Sequence, residues 1–242
     1  MLPALVCRQQ LWRTTSSSET IQTMANSLAE GAVSAEIDTL YRRARRQHAL
    51  LALTRRRRLR PSLGVRERSD ALSEIVMPIS PAGGKLLYSM VRSLRPTAVV
   101  EFGMSYGVST LHIAAALRDN GIGRVITTEL NQDKVVAATE VFARAGLSDL
   151  ITVLPGDART ELASISDPVG VVLLDGWKDL YLDVLAVVQA RLVPGAVVLA
   201  DNVDHAEARD YLAHVSDLSN GYVTTTLRDD SGGHLALSCW TG

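Results

Sequence analysis

Two short segments of this 242-residue chain end apolar runs with oxygen donors, a pattern that suits metal chemistry. One reads Leu173-Leu174-Asp175-Gly176-Trp177-Lys178-Asp179-Leu180-Tyr181 and the other Leu199-Ala200-Asp201-Asn202-Val203. Asp175, Asp201 and Asn202 offer three oxygen ligands without sulfur or imidazole, a set suited to a hard cation such as Mg²⁺. The same carboxylates could instead cap the helices that follow them. A third segment runs from Glu101 to Thr110, where Gly103 and Gly107 permit a tight loop and close backbone approach. Ser109 and Thr110 open the next helix, whose amino end favours an anionic group. The Gly-x-x-x-Gly spacing lacks the middle glycine of the dinucleotide fingerprint, which points to a smaller nucleoside-bearing ligand. Glu129, closing Thr127-Thr128-Glu129, is placed to accept hydrogen bonds from both hydroxyls of a ribose, and the turn Pro155-Gly156-Asp157-Ala158-Arg159 faces the same crevice.

Such groups meet only if strand ends lie side by side. Short β-branched runs at Ala98–Phe102, Val125–Thr128, Ile151–Leu154, Val169–Leu174 and Ala196–Ala200 read as strands. Helical patterns lie between them at Val108–Leu117, Asp133–Ala145 and Tyr181–Leu192, with Gly146 as a left-handed cap. Apolar strands alternating with helices predict a parallel sheet covered on both faces, with ligands beyond the strands' carboxyl ends. Tyr222–Leu227 and His234–Trp240, joined across Asp229-Asp230-Ser231-Gly232-Gly233, predict a hairpin that adds an antiparallel pair.

Before Pro96 the texture differs. Ile37, Leu40, Tyr41, Ala44, His48 and Leu51 form the stripe of an amphipathic helix that starts near Ala35 and ends at the Arg55–Arg58 block before Pro61. A short helical patch follows, and Ser80-Pro81 marks the start of a helix that buries Leu86, Leu87, Met90, Val91 and Leu94. Between Arg42 and Arg68 stand eleven arginines and one acid, Glu67, a charge of +10; the remainder holds fourteen Lys or Arg against twenty-five Asp or Glu, or −11. The formal net charge of −1 thus joins a basic arm to an acidic body, an asymmetry that raises nucleic acid, an acidic membrane or an acidic partner as possibilities. Residues 1–34 read as a disordered leader, with Met24 as an alternative start; the run Leu2–Val6 is shorter than a secretory h-region. Residues 35–76 read as a helical accessory segment and 77–242 as the catalytic domain.

Hydrophobic residues at 47% and charged residues at 21% exclude a disordered or collagen-like chain, and the short, charge-broken apolar runs exclude a transmembrane helix. Cys7 and Cys239 alone make neither a disulfide framework nor a cysteine metal cluster, which fits a cytoplasmic location. The five histidines show no ligand spacing; His205 is the one near the expected crevice.

From Met77 to the C-terminus, about two-thirds of the chain, the sequence resembles the cation-dependent, S-adenosylmethionine-using O-methyltransferases, and among them the catechol O-methyltransferases. The resemblance rests on Asp175-Gly176-Trp177-Lys178-Asp179-x-Tyr181 and Ala200-Asp201-Asn202-Val203, and it continues into Asp210-Tyr211-Leu212-Ala213-His214-Val215. It implies a Rossmann-like class I methyltransferase, an α/β fold with a seven-stranded, mostly parallel sheet, an antiparallel C-terminal hairpin and helices on both faces. It further implies that Glu101, Gly103 and Gly107 shape the cofactor loop, Ser109 binds the methionine carboxylate and Ile79 supplies a backbone contact to the methionine end. Glu129 would hold the ribose, and Ala158 and Trp177 would border the adenine, with Asp175 beside them. Asp175, Asp201 and Asn202 would hold Mg²⁺, and Lys178 would be the general base.

Several positions depart from that pattern. Gly176 replaces a bulkier residue, leaving an adenine wall open; Val203-Asp204-His205-Ala206-Glu207 lacks a gating proline; and Asp229 or Asp230 is the candidate for the acid that takes a second catechol oxygen. The expected reaction is Mg²⁺-dependent methylation of a small phenolic or catechol-type acceptor, with a homodimer as one possible assembly and no membrane association. Two alternatives stand beside it: a methyltransferase acting on a hydroxylated RNA base gripped through Arg42–Arg68, and a catalytically idle methyltransferase fold that serves as an interaction protein.

Overall fold

A computed structural model of the chain describes residues 26–29, 31–58, 63–230 and 232–242, and the side chains of 48–58 lie outside that description. The elements run α1 (Gly31–Arg58), α2 (Val65–Ala71), α3 (Pro81–Leu94), β1 (Ala98–Phe102), α4 (Val108–Asn120), β2 (Arg124–Glu129), α5 (Gln132–Ala145), β3 (Ile151–Pro155) and α6 (Ala158–Glu161). They continue through β4 (Val169–Leu174), α7 (Tyr181–Gln189), β5 (Leu192–Ala200), α8 (Arg209–Ser216), β6 (Tyr222–Arg228) and β7 (His234–Trp240). All seven strands form one sheet, in the order β3-β2-β1-β4-β5-β7-β6. The first five are mutually parallel, and β7 runs antiparallel to both β5 and β6.

Alternation along the strands sorts two cores. Val99, Val171 and Leu173 face a core shared with α1, α3, α4 and α5, while Val100, Val172 and Leu174 face one shared with α7 and α8. Burial on both faces explains why the central strands read as unbroken apolar runs rather than alternating ones. The chain order reverses between β1 and β4, which are neighbours, so the crevice expected at such a switch point opens above their carboxyl ends.

Ser80 caps α3 by accepting from the Gly83 amide, with Pro81 in the first turn, and Gly146 closes α5 at φ 67°. Several boundaries move: α4 runs on to Asn120 rather than Leu117, and β5 begins at Leu192 rather than Ala196. Helix α1 starts at Gly31 rather than Ala35, after a turn at Ser27–Ala29 that Asp119 anchors through the Ser27 amide and hydroxyl. Helix α7 ends at Gln189 rather than Leu192, because Val193-Pro194-Gly195 cannot continue a helix and Leu192 already pairs with Val169. The next pair is Val171 with Val197, so Pro194 and Gly195, at φ 81°, sit in a bulge that lengthens β5 at its start.

The accessory segment is part of the body. Val33, Ile37 and Leu40 of α1 are buried in the core that contains α4 and α5. Each such side chain removed from water is worth about 1.5–3 kcal/mol. Leu51, expected on the same stripe, lies outside the described side chains, as do the leader residues 1–25 and Cys7. No helix among the described residues is long and apolar enough to cross a membrane.

Candidate active site

Backbone hydrogen bonds continue past the ends of the strands and knit the loops together. The Gly156 amide donates to the Glu129 carbonyl, and the Gly103 and Met104 amides to that of Thr128. The Asp175 amide donates to the Phe102 carbonyl and that of Asp201 to Leu174. Five loops are thereby held side by side above the switch point, and they floor a cavity of about 880 Å³.

Gly103, Glu129, Ala158, Asp175, Trp177, Lys178, Asp201 and Asn202 all line that cavity. Gly103 adopts φ +98°, and a methyl there would sit 2.6 Å from the Gly176 backbone, so the close pass of these two loops requires glycine. The Glu129 carboxylate is oriented by two backbone donors, the Ser105 amide on Oε2 and the Asn131 amide on Oε1, each at 2.9 Å.

Asp175, its side chain 11% exposed, and the buried Asp201 form a carboxylate pair. Lys178 Nζ lies 3.3 Å from Asp175 Oδ1 and 5.3 Å from the centre of the Tyr181 ring. Asp201 Oδ1 accepts from the Asn202 amide at 2.9 Å and from its side chain at 3.2 Å, and Asn202 adopts a left-handed φ of 54°, which asparagine tolerates better than most residues. Burial first, and then the charge of Asp175, pushes Asp201 up to about 7; burial raises Asp175 too, against the pull of Lys178. Among the described residues no cluster of three or more His, Cys, Asp or Glu gathers, and the oxygen donors that could take a cation here are those of Asp175, Asp201 and the Asn202 amide. That set fits a hard divalent ion, because two carboxylates held close in a poorly solvated site are destabilised without a positive charge between them.

Four expected residues do not line the cavity. Ile79 is buried in the core, and its carbonyl accepts from the Tyr41 hydroxyl at 3.1 Å. Gly107 packs under Phe142, where a methyl would come within 2.3 Å of the ring. Glu101 is fully buried beneath the loop, and its Oε2 accepts from Thr110 and Thr127 at 2.5 Å each. Ser109 is buried beside the same carboxylate. Glu101 and Gly107 still shape the loop from below, through its packing.

The adenine wall expected to be open at Gly176 is filled: the Phe102 ring occupies the space, 2.4 Å from where a Gly176 methyl would stand, and Phe102 itself lines the cavity. Asp229 and His205 reach the cavity, whereas Asp230 is not part of its wall. Residues to which the sequence patterns gave no site role complete it or support it. Arg68 of α2 stacks 4.5 Å from the Trp177 ring and pairs with Asp179 at 2.7 Å. Lys134 and Ser105 join the wall near Glu129. Fully buried Tyr181 donates to the Asp201 carbonyl at 2.9 Å, fixing that strand end from below. A lysine three residues past a helix cap carries no local signal of its role, and neither does an arginine within a run of arginines.

A model of the methyltransferase domain matches residues 100–203. The chain is 35% identical over 149 residues to a catechol O-methyltransferase of Sus scrofa, covering 59% of this chain and 79% of that protein. It is 32% identical over 154 residues to the catechol O-methyltransferase of Mus musculus, covering 61% of this chain and 57% of the mouse protein, so it spans little more than half of that longer relative. In structure it resembles an O-methyltransferase from Bacillus cereus in complex with SAH, with a TM-score of 0.64 at 19% identity over 84% of this chain and all of that one.

Proposed function

Since the chain belongs to the class I S-adenosylmethionine-dependent O-methyltransferases, alongside the catechol O-methyltransferases, we propose that it methylates a phenolic hydroxyl of a small molecule, with a vicinal diol as the preferred acceptor and Mg²⁺ as the metal. The observation that carries this reading is the poorly solvated pair Asp175 and Asp201, with Lys178 against Asp175, in the same cavity as Glu129 and Trp177.

S-adenosylmethionine supplies an electrophilic methyl on a sulfonium sulfur, and a divalent cation supplies the positive charge that makes a neighbouring phenol, ordinarily of pKa near 10, more acidic. Asp175, Asp201 and the Asn202 amide oxygen would hold that cation. Glu129, its carboxylate already oriented by two amides, would accept from the ribose hydroxyls, and Trp177, Phe102 and Ala158, which line the same cavity, would bound the adenine. Lys178, whose Nζ lies 3.3 Å from Asp175 Oδ1, would take the hydroxyl proton at Nζ once it has released its own ammonium proton to solvent. Tyr181 and the knitted loops keep acceptor and donor sites at a fixed separation, and such positioning accounts for much of the rate of a bimolecular transfer. Asp204, His205 and Asp229 form a polar acceptor rim, which favours polar over purely aromatic acceptors.

An assay with labelled S-adenosylmethionine and a panel of catechols and simple phenols, with and without EDTA, tests the reading. Methyl transfer is expected only with divalent cation present, and Asp201→Ala should lower kcat/KM by about 100-fold or more. Transfer indifferent to chelation and to Asp201→Ala would refute the metal role.

A further inference from the structure

Lys134, in the first turn of α5, is a charged residue that the reading above leaves without a task. It is only 2% exposed, yet it lines the same cavity as Glu129 and Ser105. Among the described residues no carboxylate lies within 4.0 Å of its ammonium. The Tyr106 ring is 5.9 Å away, and burial is the main influence on Lys134, lowering its pKa, with Arg43 adding to the effect and Glu129 opposing it. A lysine buried without a paired anion is costly, and a bound anion relieves that cost. Meanwhile Ser109, the residue to which the resemblance assigns the methionine carboxylate, is buried beside Glu101 and does not reach the cavity wall.

We propose that Lys134 is a cofactor-positioning residue whose ammonium holds the α-carboxylate of S-adenosylmethionine, between Glu129 and the turn at Gly103–Ser105. The inference rests on the cofactor reading above. Charge selects the carboxylate: adenine and ribose are neutral, the sulfonium and amino groups are positive, and the carboxylate is the one anion the molecule carries. Placement agrees: Glu129, which the cofactor reading gives to the ribose, is the carboxylate that acts on Lys134, and the Ser105 amide of the glycine loop donates to it. A charge-assisted bond formed in a poorly solvated site is stronger than its surface equivalent.

Calorimetry with two ligands isolates the contact: S-adenosylhomocysteine, which keeps the amino-acid arm, and 5′-methylthioadenosine, which lacks it. Lys134→Met should weaken S-adenosylhomocysteine by about tenfold or more and change methylthioadenosine by less than about twofold. Lys134→Arg, which keeps the charge, should recover most of the affinity. Thermal melting of each variant verifies the fold, and a neutral side chain at this buried site is expected to melt no lower than the wild type. Equal binding of S-adenosylhomocysteine by wild type and Lys134→Met would overturn the assignment and leave the cofactor reading intact, and so would equal weakening of both ligands. A wild-type protein that binds neither ligand would overturn the cofactor reading and this inference with it.

Discussion

Asp201 ties the stability of the protein to pH through its burial. Unfolded, an aspartate loses its proton near pH 3.9; folded, beside Asp175, this one keeps it to about 7. Between those values the folded state binds more protons than the unfolded state, so its contribution to stability is complete below about pH 4 and is lost as pH rises through about 7. In EDTA, the wild-type melting temperature should therefore fall from pH 5 to pH 8 more than that of Asp201→Asn, which has no proton to lose. Adding Mg²⁺ at pH 8 should restore the wild type, by about 2.7 kcal/mol at 100 times the Kd, or about 5–10 °C, and should leave the variant unmoved. Parallel curves for the two proteins would show that the pair is not under strain. The identity of these residues was legible in the sequence because each closes an apolar run, which marks a strand end. Their supports were not: Tyr181 is set by a contact to a backbone twenty residues away, and Phe102 fills the gap above Gly176 from a neighbouring strand. Local pattern cannot express either relation.

At the scale of elements, α1 acts on the site through the segment between α2 and α3. Gln47 donates to the Glu74 carbonyl at 2.7 Å and accepts from the Val76 amide at 2.9 Å, mimicking a strand partner. Arg43 also donates to the Glu74 carbonyl, and the Tyr106 hydroxyl, from the glycine loop, donates to that of Ser73. The segment so held supplies Met77 and Pro78 to the cavity wall. Gln47→Leu keeps the bulk of the side chain and removes both bonds, each worth about 0.5–1.5 kcal/mol net. It should weaken S-adenosylhomocysteine by about three- to tenfold while kcat at saturating cofactor stays within about twofold. Unchanged affinity would mean that the clamp serves stability alone. Periodicity revealed the buried side of α1 at Ile37 and Leu40, because a repeat of three and four is a local property. The polar side revealed nothing of its targets, since Arg43 reads as one more solvated arginine until the chain folds back on it.

For the molecule as a whole, the division into a basic arm and an acidic body looks different once the chain is folded. Arg68 of the basic stretch pairs with Asp179 of the body, and Arg144 of the body pairs with Glu36 of α1, so the charges meet within one chain. Exposed pairs of this kind contribute about 0–1 kcal/mol, so they align the arm more than they hold it. What holds it is apolar burial at Val33, Ile37 and Leu40, in the same core as α4 and α5. Deleting the residues before Ser69 as a test of nucleic-acid binding would therefore remove part of the core and read out unfolding rather than lost recognition. The consequence is measurable at one side chain. Leu40→Ala should cost about 2–5 kcal/mol, or about 4–20 °C in a chain of this length, with far-UV circular dichroism and tryptophan fluorescence melting together. An arm that docks only by charge would instead leave the melting temperature unmoved by Leu40→Ala and lower it steeply in high salt, because screening acts on exposed ion pairs and not on buried leucine.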